Sequence, residues 1–315
     1  MDNLTHSLAG WALGQAGLKT RSRKGLAALI LAANMPDIDV FFGRSPWEPL
    51  AMHRGFTHSL VGGVLVMPPI LFGLLLLLDR WQLARGATFK SGLPMRPWWL
   101  LALCYLGALT HPFLDLLTTY SVQLMSPFSG RWFHADGLFI IDVWIWLALA
   151  LAIGISKRRE DRGREWRRLP QAAIALVIVY VGANLAISDR AIAAVRVDRS
   201  QAEAIFASPP PVAFWQRRLV WREGDCYRWA AYDPVNGRGA ISRCEATLLR
   251  HPAVRAAIRG TPALQSFLRW SVLPQADIKK GRCAVKVTLS DARYGDRRRS
   301  LLGRDVILPT GAPGC

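Results

Sequence analysis

Residues 60–78 read LVGGVLVMPPILFGLLLLL, a run of 19 residues without a charged side chain. Residues 170–187, PQAAIALVIVYVGANLAI, form a second uncharged run of 18. A helix of about 20 apolar residues crosses the hydrocarbon core of a bilayer, whereas short apolar runs also occur in buried helices of soluble proteins. The two runs predict membrane-spanning helices, and helices buried in a large soluble core are the alternative.

Basic clusters lie between the apolar runs. The formal net charge is +18, and much of it sits at residues 19–24, 80–96 and 157–168. Cytoplasmic loops of membrane proteins carry an excess of Lys and Arg. We therefore interpret these clusters as topology signals rather than nucleic-acid contacts, and we expect membrane lipids and no nucleic acid as partners.

The fold class predicted from these runs is mainly α, a multi-pass helical membrane domain over residues 1–194. Placing the basic clusters in the cytoplasm makes the N-terminus, the loops 36–57 and 121–137 and the C-terminal domain face outward. The first two helices are short for a full crossing, and they either are lengthened by flanking residues or form a helical hairpin that dips into the membrane. About six helical segments are expected, at residues 5–18, 25–34, 57–81, 98–120, 138–155 and 170–192.

Residues 195–315 are predicted to form a small soluble α+β domain outside the cytoplasm. Residues 214–221 and 226–233 alternate in polarity around Glu223-Gly224-Asp225, which predicts a hairpin. Helices are expected within 245–270, with a break near Gly260-Thr261-Pro262, and strands at 284–290 and 305–308. This domain is basic, with 21 Lys and Arg against 10 Asp and Glu, and attraction to anionic headgroups or another acidic partner is one explanation.

Four of the five cysteines lie in this domain, at Cys226, Cys244, Cys283 and Cys315. In an oxidising compartment they predict up to two disulfides, with three connectivities open. Free thiols are the alternative. A four-thiolate zinc site is disfavoured because no pair has the close spacing of such sites.

The histidines point to a metal site. Five of the six histidines precede residue 135, in company with aspartates. In the assigned topology these side chains fall at the outward ends of their segments. Placing an ionisable side chain within the membrane costs free energy, and such residues are usually functional. We therefore expect one metal site built from seven side chains, namely His6, Asp37, Asp39, His53, His58, His111 and Asp115.

The spacing within the motifs supports convergence. His111 and Asp115 are four residues apart and share one face of a helix. On one straight helix His53 and His58 would diverge by about 140°, but Gly55 allows the chain to turn between them.

The residue types also suggest roles. Imidazole and carboxylate ligands suit zinc first, or manganese or iron, and the number of ligands allows one or two ions. Asp115 is expected to be essential and Asp39 to act as general base. Two further candidate ligands are His134 and Asp142, and Arg54 and Arg131 are candidate phosphate-binding residues, with ordinary interface charge as their alternative.

Four ordered motifs resemble the bacterial YdjM-like family of inner-membrane proteins, which are usually described as metal-dependent hydrolases. They are MDNLTHSLAG at 1–10, PDID at 36–39, HRGFTHS at 53–59 and HPFLDLLTTY at 111–120. The resemblance is dense over about residues 1–145 and implies a multi-pass inner-membrane protein with a hydrolase-type metal centre. It leaves the substrate undefined.

A more distant likeness is to zinc phospholipase C and the fungal single-strand nucleases. The order of His6, Asp37 or Asp39, His58, and His111 with Asp115 matches that of their zinc ligands. The chain departs from them in having one HxxxD pair and Met1 where they have tryptophan, which puts a full three-zinc site in doubt.

Together these observations predict a metal-dependent phosphoester hydrolase. It would act on a lipid or lipid-linked substrate at the outer face of the bacterial inner membrane, with a bound divalent ion activating water. The alternatives are a non-enzymatic protein with a structural metal and a metal transporter. Oligomeric state is left open.

Overall fold

The computed structural model describes residues 1–42, 53–298 and 303–309. The chain divides into two compact units, each described here by itself. The first contains Met1–Asp39, His53–Ala186 and Pro211–Phe214. The second contains Ile187–Pro210 and the residues from Trp215 onward, together with the segment that begins at Val40.

Helices build the first unit. A π-helical segment, Leu60–Val66, leads directly into α3. Pro68 lies in the first turn of α3, where a proline does not interrupt hydrogen bonding. The α-helices are α1 (Asn3–Gln15), α2 (Gly25–Asn34), α3 (Met67–Ala84), α4 (Pro97–Leu116), α5 (Val143–Asp161) and α6 (Arg168–Asp198, which continues into the second unit).

Three helical stretches in the described part of the chain are long and apolar enough to cross a membrane. They are Leu60–Ala84, Pro97–Leu116 and Arg168–Asp198. The share of buried residues in their most apolar windows is 28%, 50% and 22%. Much of their apolar surface is therefore not covered by protein, as expected of helices that face lipid.

Two glycines fix how α1, α2 and α4 pack. A Cβ atom at Gly10 of α1 would lie 2.7 Å from the carbonyl oxygen of Leu29, and one at Gly107 of α4 would lie 2.6 Å from the same oxygen. Glycine at both positions lets α1 and α4 approach the backbone of α2, as small residues do in membrane helix packing. His6 precedes Gly10 by four residues and His111 follows Gly107 by four.

The second unit contains two antiparallel sheets. In the first sheet the order is β1-β2-β3-β4 and β5 also pairs with β3; in the second it is β6-β7-β8. The strands are β1 (Glu203–Ser208), β2 (Arg217–Glu223), β3 (Cys226–Asp233), β4 (Gly237–Arg238), β5 (Glu245–Ala246), β6 (Pro274–Lys280), β7 (Ala284–Asp291) and β8 (Gly303–Pro309). Helices α7 (Pro252–Gly260) and α8 (Pro262–Trp270) precede β6 and are separated at Thr261.

The predicted hairpin is formed by β2 and β3, and Gly224 has the left-handed φ of 59° that this turn requires. β1 and β6 were not predicted from the sequence. The helix expected from residue 245 begins only at Pro252, because Glu245–Ala246 pairs with β3 as β5. A buried ion pair lies in this unit, in which the Nε of Arg293 donates to the Oδ1 of Asp291 at 2.9 Å.

Cys226 and Cys244 form a disulfide, which is one of the pairings that the sequence leaves open. Cys315, which the same expectation includes, lies outside the described residues.

Candidate metal centre

Four segments of the first unit carry the seven expected ligands. His6 lies in α1, and Asp37 and Asp39 lie in a short 3-10 helix, Met35–Phe41, that follows α2. His53 and His58 flank a turn that ends in another 3-10 segment, Phe56–His58. The remaining two, His111 and Asp115, lie in α4.

Local sequence explains how the loop residues turn inward. Pro36 lacks a backbone N–H, so it ends the regular hydrogen bonding of α2 and favours the tighter helix. Arg54 has a left-handed φ of 64°, a costly conformation that tends to persist at functional sites. This turn brings the ring centroids of His53 and His58 to 5.0 Å.

A central cluster forms around Asp115. Its Oδ2 lies 3.4 Å from the Nε2 of His58 and 3.4 Å from the Nε2 of His111, and its Oδ1 lies 3.5 Å from the Nε2 of His6. Asp37 closes the cluster, because its Oδ1 lies 3.2 Å from the Nε2 of His58 and 3.5 Å from that of His111. Three groups of potential ligand atoms result, each within 4.8 Å: His6-His111-Asp115, Asp37-His58-His111 and Asp39-His53-His58.

The hydrogen bonding of His111 tests whether this cluster suits a cation. Its Nδ1 lies 2.6 Å from the carbonyl oxygen of Ala33, which can only accept, so Nδ1 carries the proton. In a neutral imidazole the Nε2 is then an acceptor, and it faces carboxylate oxygens of Asp37 and Asp115, which are also acceptors. Acceptors that face one another at this distance fit a metal ion between them.

Burial supports the same interpretation. His6, His58 and His111 are completely buried. Among the described residues, both ring nitrogens of His6, the Nε2 of His111 and the Oδ2 of Asp37 have no hydrogen-bond partner. Buried polar atoms without partners are uncommon, and an ion that is not among the coordinates is one accepted explanation. The side chains present fit a divalent metal.

Asp39 lies behind His58 rather than in the central cluster. Its Oδ2 is 3.2 Å from the Nδ1 of His58 and accepts a hydrogen bond of 2.6 Å from the hydroxyl of Thr57. Its Oδ1 is 2.8 Å from the Nδ1 of His53. A carboxylate on the far nitrogen of a metal-binding histidine fixes the ring and raises its basicity.

These contacts also set the charge of the aspartates. Burial raises the pKa of Asp37, but the neighbouring imidazoles of His111 and His58 outweigh it and hold the pKa well below its usual value. The pKa of Asp39 is lowered in the same way by His53 and His58, against the effect of burial. Burial lowers the pKa of His53 despite the Asp39 carboxylate beside it. The lowered pKa values favour the ionised forms of Asp37 and Asp39 and the neutral form of His53, which are the forms that bind a metal ion.

One arginine contacts the cluster. The Nη2 of Arg54 lies 3.0 Å from the Oδ1 of Asp115, and its Nη1 donates to the hydroxyl of Thr118 at 2.8 Å. The guanidinium also stacks on Tyr120, 4.5 Å from the ring centroid. Arg131, the other candidate, is exposed and stacks on Phe133. Of the two candidate arginines, Arg54 is therefore the one that contacts an expected ligand.

The two further candidate ligands make contacts of a different kind. His134 pairs with Asp136 at 3.0 Å. Asp142 caps α5, since its Oδ1 accepts from the backbone N–H groups of Trp144 and Ile145 and its Oδ2 from the hydroxyl of Tyr180. Asp142 therefore has a structural role at a helix N-terminus.

Sequence reasoning missed three side chains that contact the expected ligands or Arg54, namely Thr57, Thr118 and Tyr120. It also missed the Met1 amino group, which contacts Asp115. Their positions within the motifs could have identified them, because Thr57 lies inside HRGFTHS and Thr118 and Tyr120 lie near the end of HPFLDLLTTY.

Comparison with known proteins agrees with the motifs. The chain is 30% identical over 146 residues to the uncharacterized protein YfhP of Bacillus subtilis (strain 168). The match covers 42% of this chain and 39% of that relative. The match thus spans about two fifths of the relative's length. No solved structure matches the chain. The model of the YdjM inner membrane protein family matches residues 1–191, so the chain belongs to that family.

Proposed function

We propose that the protein is a metal-dependent hydrolase that cleaves a phosphoester in a lipid or lipid-linked substrate at the outer face of the inner membrane. The observation that carries this proposal is the cluster of facing acceptors around Asp115 and His111. The setting supports a lipid substrate, because the cluster lies in a unit whose long helices are apolar enough to span a membrane.

The donor set favours zinc, with manganese or iron(II) next, because imidazole nitrogen and carboxylate oxygen suit these ions. His6, Asp37, His58, His111 and Asp115 would hold the principal ion. When bound, a divalent ion supplies Lewis-acid activation of water and of a phosphoryl oxygen. The group Asp39-His53-His58 allows a second ion, although the bonds of Asp39 favour one ion with Asp39 orienting His58.

Protein side chains would bind the phosphate and accept the proton from water. Arg54 is buried beside Asp115, and its guanidinium would bind a phosphate oxygen. Asp39, the expected general base, has both carboxylate oxygens occupied by His53, His58 and Thr57. The Oδ2 of Asp37 has no hydrogen-bond partner among the described residues, which makes Asp37 the better placed group to accept a proton from water.

The proposed topology is multi-pass with the C-terminal domain in the periplasm. Besides the three long stretches, α5 begins with the uncharged residues 143–156 before its basic end, and we propose that it also crosses. Helices α1 and α2 would form the short hairpin. The disulfide between Cys226 and Cys244 supports an extracytoplasmic location for that domain.

The first experiment is metal analysis and hydrolysis by the purified full-length protein in detergent. The wild type should retain about one zinc per chain and hydrolyse a phosphodiester, and His111→Ala should lose the metal. Asp115→Asn should lower turnover by at least 100-fold, whereas Asp161→Asn, at an exposed carboxylate of α5, should match the wild type. Inactivity of the wild type with zinc, manganese and iron across phospholipid substrates would refute the reaction.

A structural metal is the rival with specific support, because complete burial of His6, His58 and His111 limits access to the ion. This rival predicts bound metal and a lower melting temperature after chelation, but no turnover. A transporter is less well supported, since the candidate ligands form one cluster instead of a path.

A further inference from the structure

Three basic segments meet at one end of the first unit. Lys19 pairs with Glu160 at 2.6 Å, and its ammonium group lies 4.6 Å from the ring centroid of Trp166. The backbone N–H of Arg23 donates to the carbonyl oxygen of Pro94 at 3.1 Å. These contacts join residues 19–24, 80–96 and 157–168, which together carry 15 Lys and Arg against 3 Asp and Glu. We call this surface the basic end.

The basic end and the metal cluster lie at opposite ends of α1 and α4. His6 lies near the start of α1, and Lys19 follows its last residue. In α4 the order is reversed, because Arg96 precedes the first residue and His111 lies near the last. A rise of about 1.5 Å per residue separates Arg96 from His111 by about 22 Å. An anion held at the basic end is therefore distinct from the substrate proposed for the metal centre.

One buried carboxylate neutralises part of the charge. The two oxygens of Asp79 accept hydrogen bonds from the Nε and Nη2 of Arg23 at 2.8 and 2.7 Å, and the Nζ of Lys24 lies 3.9 Å from the same carboxylate. Three exposed arginines in these segments form no ion pair with any residue that the structure describes, namely Arg21, Arg85 and Arg96. Their charge remains for a partner of the opposite sign.

Two of these arginines lie against tryptophans. The guanidinium of Arg85 is 4.4 Å from the ring centroid of Trp81, and that of Arg21 is 4.9 Å from that of Trp99. Trp81 lies near the end of one long apolar stretch and Trp99 near the start of the next, beside Trp98, which is 84% exposed. Because tryptophans concentrate at the level of lipid headgroups, we expect these guanidinium groups at the depth of the lipid phosphates.

We propose that the basic end binds the headgroups of anionic phospholipids, whose phosphates contact Arg21, Arg85 and Arg96. The cation of a zwitterionic headgroup would be repelled by the excess of positive charge, whereas an anionic headgroup is attracted. An acidic protein is a poorer fit, because the exposed indoles beside the arginines match the interface of a bilayer. This inference does not depend on the proposed reaction.

Native mass spectrometry of the full-length protein tests the preference for an anionic headgroup. Phosphatidylglycerol and phosphatidylcholine with identical acyl chains are added in equal amounts to the protein in detergent, so any difference in retention reports the headgroup. We expect phosphatidylglycerol to be retained about tenfold more than phosphatidylcholine. Equal retention would overturn the proposal and leave the basic end to an acidic protein.

A matched pair of double variants tests the location. Arg21→Gln with Arg85→Gln should lower the retention of phosphatidylglycerol about fivefold. Arg255→Gln with Arg259→Gln removes the same charge from exposed residues of α7 and should leave retention unchanged. An equal loss in the two proteins would assign the preference to net charge and contradict the site. The comparison of the two lipids in the wild type does not depend on either variant folding.

A third variant separates this site from the metal centre. His111→Ala should lose the metal and still retain phosphatidylglycerol as the wild type does. A loss of lipid together with the metal would place the headgroup at the metal centre and overturn the proposal. Hydrolysis is not measured in these experiments, so their outcome is independent of whether the hydrolase function holds.

Discussion

A single hydrogen bond at His111 determines how the candidate centre is interpreted. With Nδ1 bonded to Ala33, the lone pair on Nε2 must face the carboxylates. The same reasoning separates ligands from supporting residues, because Asp39 contacts the far nitrogen of His58 whereas Asp115 contacts the near one.

Asp39→Asn tests this separation. We expect the affinity for zinc to fall about 10-fold to 100-fold, which is typical when a partner behind a metal ligand is removed, while the ion still binds at saturation. Titration of metal-free protein with zinc measures the change. Asp142→Asn is the control and should keep the wild-type affinity; a loss equal to that of His111→Ala would instead make Asp39 a direct ligand.

Asp291 provides a pH test in the second unit. Burial raises its pKa, but the Arg293 charge and hydrogen bonds from Arg293 and Ser271 outweigh this and lower it. Because the folded pKa lies below the unfolded value of about 3.9, the stabilisation is complete above that value and is lost as pH falls through the folded pKa. The urea midpoint of Asp291→Asn should lie well below that of the wild type at pH 7, and the gap should narrow at pH 3. A gap independent of pH would contradict this assignment.

At the scale of elements, glycines next to the ligands position them. Gly62 and Gly63 lie in the π-helical segment that follows His58. A Cβ atom at either position would lie within 2.5 Å of a backbone oxygen of Phe56 or Thr57. Gly10 and Gly107 likewise allow α1 and α4 to approach the backbone of α2 at Leu29.

Gly107→Val should therefore damage both fold and site. Overpacking against the Leu29 carbonyl should cost about 1–3 kcal/mol, seen as a lower melting temperature in detergent, together with reduced zinc content because His111 lies one turn away. Gly73→Val is the control, since nothing lies within 4 Å of a Cβ there. Equal behaviour of the two variants would show that the α2 contact is not needed.

The sequence predicted these elements unequally. Uninterrupted apolar runs and the alternation around Gly224 depend on neighbouring residues, so the long helices and the β2-β3 hairpin could be predicted. The motifs singled out His6, Asp37, His58, His111 and Asp115 because ionisable groups are rare in such segments. The contacts of Asp39 with His53 and of Asp142 with Tyr180 depend on residues distant in the chain, and spacing alone does not specify them.

At the scale of the whole molecule, membership of an inner membrane protein family and the three long apolar stretches both indicate a membrane protein. The proposed side of the membrane for each loop is inferred from charge, because Lys and Arg concentrate in residues 19–24, 80–96 and 157–168.

Reporter fusions test that orientation. Alkaline phosphatase, which needs an oxidising compartment, should be active when fused after residue 309 and inactive when fused after residue 90. A fluorescent protein that matures only in the cytoplasm should give the opposite pattern. An active phosphatase at residue 90 would reverse the proposed topology and place the metal cluster at the cytoplasmic face.

The close approach of Gly10 in α1 and Gly107 in α4 to one carbonyl of α2 has a consequence for redesign of the centre. A Cβ atom at either position would lie within 2.7 Å of the oxygen of Leu29. The rings of His6 and His111 are stacked with centroids 3.8 Å apart, and each histidine lies one turn from one of these glycines. A variant that pushes α1 or α4 away from α2 would therefore move an imidazole together with its helix, so any redesign of the ligand set should keep both glycines.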